Sequence, residues 1–455
     1  MRPILPENVK FILNRLHEHG FEAFVAGGAV RDLLMNRTPH DYDISTNALP
    51  SEVKELFRKT IDTGLKHGTV TVIINKTGYE ITTFRRDGQY TDGRHPESVK
   101  FVNSLREDCA RRDFTVNAMC YNEEKGLIDF FCGKRDINQG IIRCVGNAEQ
   151  RFKEDALRML RAVRFAAVYG FKIEENTLKA IRKYAVLIKR VSSERIQSEL
   201  NKLLLSDHPD YIRLLHETGI LRYIIPPLER CFGEPQKNRF HIYDVGEHTM
   251  LAVKNTESDL ILRWAALLHD IGKPCTSSTD SNGTIHFYGH HRESMRIADD
   301  ILHRLRLDSS SIRDILVLIE NHDVRIDPTP PAVKRMLAKT GPQLFEKLLK
   351  LQLADNSAKS PDCFESKKQR IDAVRNVYET VIASKEPYRI SDLAINGRDL
   401  LKEGFRTGRI LGDTLKALTE EVILNPSLNN RTYLLKRAAE IKKKNNRKSS
   451  GRPTV

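Results

Sequence analysis

The hydrophobic pattern of this chain changes its period near residue 150, and that change limits the possible folds more than any other feature. Before it, short apolar runs such as "TVTVIIN" (69–75) and "YEITTFR" (79–85) have the spacing of β-strands and alternate with helical segments. After it, apolar residues recur at helical spacing over long stretches, with Gly170 placed like a helix stop. We therefore predict an α+β domain with a mixed sheet, followed by an all-α remainder.

The length of 455 residues requires several domains, because single hydrophobic cores stop growing at about 250–300 residues. The segment "IIPPLERCFGEPQKNRFHIYDVG" (224–246) is punctuated by proline and glycine and is typical of a linker. A His-rich helical region follows it. We predict four domains, which cover residues 1–140, 141–235, 236–375 and 376–455.

The formal net charge of +14 favours a polyanionic partner, and nucleic acid before a membrane surface. No run approaches the roughly 18 apolar residues of a spanning helix, and the amino end lacks the pattern of a signal peptide. The seven cysteines are far apart and never form a CxxC motif, which favours reduced thiols over disulfides or a zinc ribbon. We expect a cytoplasmic protein that does not contact a membrane.

The stretch "HDYDIS" (40–45) places Asp41 and Asp43 two residues apart within an apolar, strand-like region. Residues i and i+2 of a strand point to the same face, so both carboxylates would lie side by side. Mg²⁺ takes oxygen ligands and commonly shares them with substrate phosphates. Taken alone, the pair fits a magnesium site and a solvated turn equally well.

Two further features stand near this pair. The motif "GGAVRD" places Gly27 and Gly28 between a strand and a helix, where backbone amides and the forked guanidinium of Arg31 suit a phosphate. Glu80 lies in a later strand and adds a third acid, although pairing with Arg85 or Arg86 explains it nearly as well. Three acids beside a glycine turn describe a two-metal nucleotidyl transfer site.

The ordered motifs "GGAVRD", "DYDIS", "RRDFTVNAM", "RFKEDALRMLRAVRFAA" and "SSERIQSEL", between about residues 20 and 200, resemble the tRNA nucleotidyltransferase family. This family comprises CCA-adding enzymes and bacterial poly(A) polymerases and has a polymerase-β-like head. The resemblance implies that Asp41 and Asp43 hold Mg²⁺ and that Gly28 and Arg31 contact the triphosphate. It also implies that Arg112 contacts the nucleotide, while Asp113 and Asn117 shape the sugar side.

The segment "EDALRMLRAVR" (154–164) offers a way to choose a base without a template. On a continuous helix, four charged residues spaced by three would form one ridge: Asp155, Arg158, Arg161 and Arg164. A carboxylate only accepts hydrogen bonds and a guanidinium only donates them, so Asp155 and Arg158 match cytosine and adenine and oppose uracil and guanine. This predicts CTP and ATP as substrates. The alternative is an ordinary surface helix with intrahelical salt bridges.

Two other stretches resemble parts of the same family. The charged, glycine-containing stretch at 85–101 resembles the flexible loop of enzymes that add both C and A, although a plain hairpin connection is the alternative. The segment at 394–418, with Gly404 and Gly408, resembles the element that holds the tRNA acceptor arm. The basic tail at 442–455 is predicted to be disordered and to add only salt-sensitive attraction to phosphates.

The His-rich region resembles the HD phosphohydrolase superfamily. Its motifs "GEHTM", "LLHDIGKP", "FYGHHRES" and "LQLADNS" bring in six candidate residues: His248, His269, Asp270, His290, His291 and Asp355. Imidazoles and carboxylates together suit a divalent transition metal, and we expect it at His248, His269, Asp270 and Asp355. The alternative is an inactive helical domain that serves as body or RNA-docking surface.

The sequence thus predicts template-independent addition of CCA to tRNA from CTP and ATP with Mg²⁺. Two alternatives remain: a poly(A) polymerase with the same head, or a metal-dependent phosphohydrolase of the HD type whose head only binds RNA.

Overall fold

The computed structural model describes residues 4–88, 98–236 and 242–449. The chain divides into two compact units. The first comprises residues 1–230 together with 301–307, and the second comprises residues 231–300 and 308–455. The stretch at 85–101 lies largely outside the described residues, so its prediction stays a prediction. The predicted disorder of the basic tail is wrong for residues 442–449, which belong to the helix Arg431–Ser449, whereas residues 450–455 lie outside the described residues.

A seven-stranded mixed sheet forms the centre of the first unit. The strands of this unit are β1 (Ala23–Ala26), β2 (Asp43–Thr46), β3 (Thr60–Gly64), β4 (Thr69–Ile74), β5 (Thr77–Thr83), β6 (Arg85–Asp87), β7 (Val99–Phe101), β8 (Met119–Asn122), β9 (Gly126–Asp129), β10 (Ile141–Ile142) and β11 (Lys172–Ile173). The strand order in the main sheet is β3-β4-β5-β2-β1-β8-β9, in which β2 and β5 are parallel and the other pairs antiparallel. The predicted mixed sheet is confirmed.

Twelve helices belong to the described part of this first unit. They are α1 (Glu7–Glu18), α2 (Gly28–Leu34), α3 (Pro50–Leu56), α4 (Leu105–Ala110), α5 (Gly133–Gln139), α6 (Ala148–Glu154), α7 (Leu157–Tyr169), α8 (Glu175–Tyr184), α9 (Ser193–Leu204), α10 (Ile212–Glu217), α11 (Leu221–Ile224) and α12 (Pro226–Glu229). Side-chain caps start several of them; for example, Asn147 accepts from the amide of Gln150 at 3.1 Å before α6.

Alternation along the central strands divides the apolar residues of the sheet between two cores. Val25, Ile44 and Ile81 point to one face, where they pack with α1 and α3. Phe24 and Ala26 point to the other face, where they pack in a smaller core with Phe84. Asp43 lies opposite Ala26 in the register, so its side chain projects from this second face.

The described residues of the second unit are helical apart from one small hairpin, β12 (Ser277–Thr279) with β13 (Ile285–Phe287). Its helices are α13 (Val245–Lys254), α14 (Leu260–Leu268), α15 (Lys273–Thr276), α16 (His290–Arg304, whose last four residues belong to the first unit), α17 (Ser309–Asn321), α18 (Pro330–Ser357), α19 (Pro361–Ser384), α20 (Gly397–Lys402), α21 (Arg409–Leu424) and α22 (Arg431–Ser449). Gly341, with φ 72°, interrupts α18 and produces its kink. Trp264 in α14 is fully buried.

The structure corrects two local predictions. Asp43 is the first residue of β2, but Asp41 precedes the strand, so only one acid of the pair is a strand residue. The predicted continuous helix across Asp155 is wrong, because α6 ends at Glu154 and α7 begins at Leu157. Asp155 is extended, with φ −141°, and its Oδ1 accepts from the amide of Leu157 at 3.0 Å. An aspartate that accepts from the backbone in this way starts a helix instead of continuing one.

Among the described residues, we find no helix with the length and apolarity required to cross a membrane.

Candidate functional site

The three candidate acids of the head lie on adjacent elements of one sheet face. In the parallel pairing of β2 with β5, Ile44 is opposite Ile81, which places Asp43 beside Glu80 on the face away from those isoleucines. Asp41, Asp43 and Glu80 are all exposed. The structure therefore presents the three carboxylates together, on an exposed part of this face that a ligand can reach.

The electrostatic environment of Asp43 shows that this group of acids acts as a unit. Although its carboxylate reaches solvent, surrounding protein removes enough hydration to raise the pKa of Asp43, and the charges of Asp41 and Glu80 raise it further, to about 6. The guanidinium of Arg112 opposes this shift. A cation placed between the acids would relieve their repulsion, which is the behaviour expected of a metal site.

The alternative role of Glu80 as a partner of Arg85 or Arg86 is not supported by the contacts of the described residues, among which neither pair occurs. The Arg85 guanidinium donates to the backbone carbonyl of His67, and its backbone N–H donates to Asp108 at 3.3 Å. Glu80 is instead one of the charges that raise the pKa of Asp43.

Gly27 forms the turn between β1 and α2 and contacts Arg112. Its φ of 73° lies in the left-handed region that favours glycine. Its N–H donates to the carbonyl of Met119 at 3.0 Å, and a Cβ at this position would lie 2.6 Å from Nη1 of Arg112. Gly28 has more room, since the nearest atom to its Cβ position is 3.5 Å away. Only the first glycine of the motif is thus required by the geometry.

Asp108 on α4 holds Arg112 in place and is not among the site residues predicted from the sequence. It is fully buried and accepts from Arg111 Nε at 2.9 Å, while Arg112 Nη2 lies 3.5 Å from its other oxygen. Burial alone would raise the pKa of Asp108, but the two guanidinium groups hold it below its ordinary value. Arg112 Nη2 also donates to Ser45 Oγ at 3.1 Å, which ties it to strand β2 beside Asp43.

A second network joins Arg31 of the glycine turn to helix α7. Arg31 is buried and donates to Asn117 Oδ1 at 2.5 Å, and Asn117 donates to Asp113 Oδ1 at 3.2 Å. Asp113 in turn accepts from Arg161 Nε at 2.8 Å. The Arg31 guanidinium also lies 4.7 Å from the ring centroid of Tyr169, within cation–π range. Four predicted site residues are therefore connected by direct contacts.

The ionisation of Asp113 follows from this network. Its burial would raise the pKa of the carboxyl group, yet the Arg161 guanidinium holds the pKa of Asp113 far below its ordinary value. Arg164 extends the ridge and donates to the buried Glu199 at 2.8 Å, while Arg161 Nη1 lies 3.8 Å from the same residue. Glu199 lies in the motif "SSERIQSEL" and is a functional candidate beyond those predicted from the sequence.

Asp155 and Arg158, the predicted base-reading pair, bond to other residues in this structure. Asp155 accepts from Arg195 Nη2 at 2.8 Å, whereas Arg158 donates to Glu154 at 2.8 Å and to the carbonyl of Arg111 at 3.2 Å. The alternative of one surface helix with intrahelical salt bridges is not what the structure shows either, because Glu154 ends α6 and its partner Arg158 lies in α7. The charge of Asp155 still contributes to raising the pKa of Arg161, so these two residues of the ridge interact electrostatically.

In the second unit, the predicted HD residues converge in space. His248, His269, Asp270 and Asp355 are buried, and their ligand atoms all lie within 4.8 Å of one another. His248 Nε2 is 3.0 Å from Asp355 Oδ1, and His269 Nε2 is 3.1 Å from Asp270 Oδ2. The side chains come from α13, the end of α14 and α18, and caps such as Asp259, which accepts from Leu262 N–H at 2.9 Å, fix where these helices start.

Two more histidines join this cluster on the other side of Asp270. His290 Nε2 and His322 Nε2 lie 3.4 and 3.6 Å from Asp270 Oδ1. His322 follows α17 and was absent from the sequence prediction, although the motif "ENHD" contains it. His291, also a candidate, is outside both groups of potential ligands that the described residues form.

The two carboxylates of the cluster are ionised. Burial would raise the pKa values of Asp270 and Asp355, but neighbouring cationic groups hold both well below the ordinary range. Lys273 Nζ is 2.6 Å from Asp270 Oδ2 and Lys359 Nζ is 2.5 Å from Asp355 Oδ2. Ionised carboxylates with converging imidazoles form a donor set that fits a divalent transition metal.

Taken together, a mixed sheet with clustered exposed acids on its central strands, a glycine turn and an arginine network define a nucleotidyltransferase, to which an HD-type domain is joined. Three family models match: the poly A polymerase head domain over residues 23–143, the probable RNA and SrmB-binding site of polymerase A over 170–232, and the HD domain over 240–359. Both kinds of domain use divalent metals.

The chain belongs to the CCA-adding enzyme family. A CCA-adding enzyme of Ligilactobacillus salivarius is 34% identical over 432 residues, which cover 94% of this chain and 95% of that protein. One from Geobacillus thermodenitrificans is 51% identical over 214 residues, or 47% of this chain and 53% of that protein. The crystal structure of the Bacillus stearothermophilus CCA-adding enzyme in complex with CTP has a TM-score of 0.73 at 29% identity and covers 99% of this chain and 100% of that one. The predicted family and fold class are confirmed.

Proposed function

We propose that this protein adds CCA to the 3′ end of tRNA from CTP and ATP, with Mg²⁺ and without a nucleic-acid template. The observation that carries the proposal is the grouping of Asp41, Asp43 and Glu80 beside Arg112. Membership of the CCA-adding enzyme family supports it, as does the likeness to a relative solved in complex with CTP. We also propose a cytoplasmic location, which these substrates favour.

In the proposed reaction, the 3′-hydroxyl of tRNA attacks the α-phosphate of the nucleotide, so an O3′–Pα bond forms and the bond to pyrophosphate breaks. Asp41 and Asp43 would hold Mg²⁺, which supplies Lewis-acid activation of the hydroxyl and charge neutralisation when bound. Arg112, fixed by Asp108, and Arg31, fixed by Asn117, place guanidinium groups near the triphosphate. Glu80 adds negative charge beside Asp43 and strengthens the attraction for the cation.

Base selection is assigned to Asp155 and Arg158. The carboxylate accepts from the exocyclic amino group of cytosine or adenine, and the guanidinium donates to the adjacent ring nitrogen. Because these side chains bond to Arg195 and Glu154 in this structure, the arriving base has to replace those partners. A base with the opposite hydrogen-bonding pattern would leave both groups unpaired, at a cost of about 1–3 kcal/mol for each. Arg161 and Arg164 continue the cationic ridge along α7.

We also propose a division of labour among four domains. Transfer chemistry belongs to residues 1–140, base selection to 141–235, a metal-dependent activity to 236–375 and tRNA docking to 376–455. The last segment includes the glycine-containing stretch with Gly404 and Gly408.

The decisive experiment incubates the protein with tRNA that lacks its CCA end and resolves product length with CTP, ATP or both. We expect two added nucleotides with CTP alone and three with both nucleotides. A long A tail without prior C addition would identify a poly(A) polymerase. The variants Asp41→Asn and Asp43→Asn should lose nucleotide addition. The control is Asp62→Asn, which should retain it, because Asp62 is an exposed residue of β3 that pairs with Lys54.

A metal-dependent phosphohydrolase activity of the second unit is the second candidate function. It is favoured by a cavity of about 330 Å³ that His322 and Asp355 line together with three basic residues, Lys359, Lys367 and Arg370. A divalent transition metal at His248, His269, Asp270 and Asp355 would activate water, and the basic wall suits a phosphate ester. Hydrolysis of p-nitrophenyl phosphate with added Mn²⁺, Co²⁺ or Ni²⁺ should be abolished by His269→Ala and unaffected by Asp43→Asn. Activity in the His269→Ala protein equal to wild type would exclude this function.

A further inference from the structure

Tyr169, the last residue of α7, contacts helix α2 and the residues that follow it. The centroid of its ring lies 4.7 Å from the Arg31 guanidinium and 5.1 Å from the Arg37 guanidinium, both within cation–π range. Its hydroxyl donates to Asp32 Oδ1 at 3.3 Å. A single side chain of α7 therefore contacts three charged groups close to the glycine turn.

The Arg31 guanidinium is held on several sides by protein groups. Its Nη1 donates to Asn117 Oδ1 at 2.5 Å and its Nε donates to Asp32 Oδ1 at 2.9 Å, while the ring of Tyr169 covers it. Nη2 lies 3.5 Å from the Cβ position of Gly28, so the group stays against the glycine turn. Only 7% of the Arg31 side chain is exposed. Fixing a long arginine beforehand reduces the entropy that phosphate binding costs.

The hydroxyl of Tyr169 is a permanent donor to Asp32. Burial raises the pKa of Tyr169 to about 12, so the group stays protonated near neutral pH. Asp32 Oδ1 also faces Nη2 of Arg31 at 2.8 Å, in addition to the Nε of the same side chain. These donors offset the negative charge of Asp32, which would otherwise repel a triphosphate.

Phe165 lies one helical turn before Tyr169 and has a different environment. The two rings stack with centroids 6.2 Å apart, but Phe165 is buried and also packs edge-on against Phe114 at 5.7 Å. Tyr169 is only half-buried. Its ring can therefore be replaced without opening a cavity in the core, whereas the ring of Phe165 cannot.

We propose that Tyr169 is a positioning residue for the nucleotide triphosphate, because its ring holds the Arg31 guanidinium and its hydroxyl holds Asp32. This inference rests on the proposed contact of Arg31 with the triphosphate. The ring contributes more than the hydroxyl, since an O–H···O distance of 3.3 Å is longer than that of a strong hydrogen bond. The effect is the same for CTP and ATP, because Arg31 contacts phosphates and not the base.

The first test compares variants that remove the ring, Tyr169→Leu and Tyr169→Gln, with Tyr169→Phe, which removes only the hydroxyl. Losing the ring should raise the KM for CTP and the KM for ATP by equal factors, about 3- to 30-fold. The inhibition constant of pyrophosphate should rise by the same factor, while kcat changes less than about twofold. Tyr169→Phe should restore all these constants to within about twofold of wild type. Inhibition by cytidine, which has no phosphate, should not change.

The matched control is Tyr184→Leu at the end of α8. The Tyr184 ring also lies near two cations, Lys153 at 5.1 Å and Lys183 at 5.3 Å, and its hydroxyl donates to Glu149 at 2.8 Å. None of these three partners belongs to the glycine turn or to α2. Tyr184→Leu should therefore leave both KM values and the pyrophosphate inhibition constant unchanged.

A double-mutant cycle with Arg31→Gln tests whether the ring acts through Arg31. If it does, Tyr169→Leu adds little to the pyrophosphate inhibition constant once Arg31 is replaced. Two effects that multiply would overturn the proposal. A fall in kcat together with weaker inhibition by cytidine would also overturn it, because a general loss of structure changes those constants and a loss of phosphate positioning does not.

Binding measurements separate this inference from the proposed function. Titration calorimetry with pyrophosphate and with CTP, in the presence of Mg²⁺, gives the Kd for each full-length variant without any turnover. Wild type that binds CTP but adds no nucleotide to tRNA would refute the proposed function, and the Kd values would still decide the role of Tyr169. Equal Kd values for wild type, Tyr169→Leu and Tyr169→Gln would overturn this inference alone, whereas wild type that binds neither ligand would overturn both.

Discussion

Replacing Asp108 by Asn tests whether this buried carboxylate holds the arginines of the head in place. Its Oδ1 accepts from Arg111 at 2.9 Å and from the Arg85 N–H at 3.3 Å, while Oδ2 faces Arg112 and Ser45. Asparagine has nearly the same shape as aspartate, but its amide NH₂ group would face either the donors now bound to Oδ1 or those now bound to Oδ2. Breaking a fully buried ion pair costs about 3–5 kcal/mol. Because the Arg111 and Arg112 side chains are 18% and 17% exposed, we expect about 2–4 kcal/mol.

The assay is urea unfolding followed by far-ultraviolet circular dichroism, together with steady-state kinetics of C addition. Asp108→Asn should lower the free energy of unfolding by about 2–4 kcal/mol. It should also raise the KM for CTP, because Arg112 is no longer fixed beside Asp43. Glu107→Gln removes an exposed charge from the same helix and should stay within about 0.5 kcal/mol of wild type. An Asp108→Asn protein as stable as the Glu107→Gln protein would refute the reasoning.

Three further results are expected. Gly27→Ala should cost about 1–2 kcal/mol from its positive φ and should lower kcat/KM, whereas Gly28→Ala, with room for a Cβ, should leave the free energy of unfolding unchanged; equal losses of stability would contradict the steric argument. Because the pKa of Asp113 is lowered in the folded protein, its ionised carboxylate stabilises the fold fully above about pH 4, and this stabilisation is lost as the pH falls toward the folded pKa. The difference in free energy of unfolding between wild type and Asp113→Asn should therefore become smaller by about pH 3. A difference independent of pH would disprove the pairing with Arg161. Asp43→Asn should lower the rate of CCA addition at least about 100-fold at saturating Mg²⁺, and a near-normal rate would remove Asp43 from the site.

Local periodicity was enough to predict the architecture, because most elements of the sheet are amphipathic over short distances. The run at 69–75 became β4 and the run at 79–85 became most of β5, since alternate residues bury on one face. The break at Asp155 was missed because the residues on both sides are good helix formers. The break is visible only in the structure, where the Asp155 carboxylate accepts hydrogen bonds from the N–H of Leu157 and from Arg195, forty residues later.

The residues of the candidate site likewise fall into those that local sequence patterns predict and those that only long-range contacts reveal. Arg31, Asp113, Asn117 and Arg161 were predicted, and the structure joins them in one network. Asp108 carried a local sign, since it precedes two arginines by three and four residues, the spacing of helical ion pairs. His322 carried no such signal, because Asp270 and His290, its partners in the cluster, belong to other elements of the chain.

The single tryptophan of the chain, Trp264, lies in the second unit, on the helix that ends just before His269. Its tryptophan fluorescence therefore reports on that unit alone, and the catalytic head does not contribute to it. Comparing the emission with circular dichroism during denaturation would show whether the two units lose structure together or in sequence, since coincident transitions are a mark of two-state behaviour. The same emission offers a label-free titration of metals that quench it on binding.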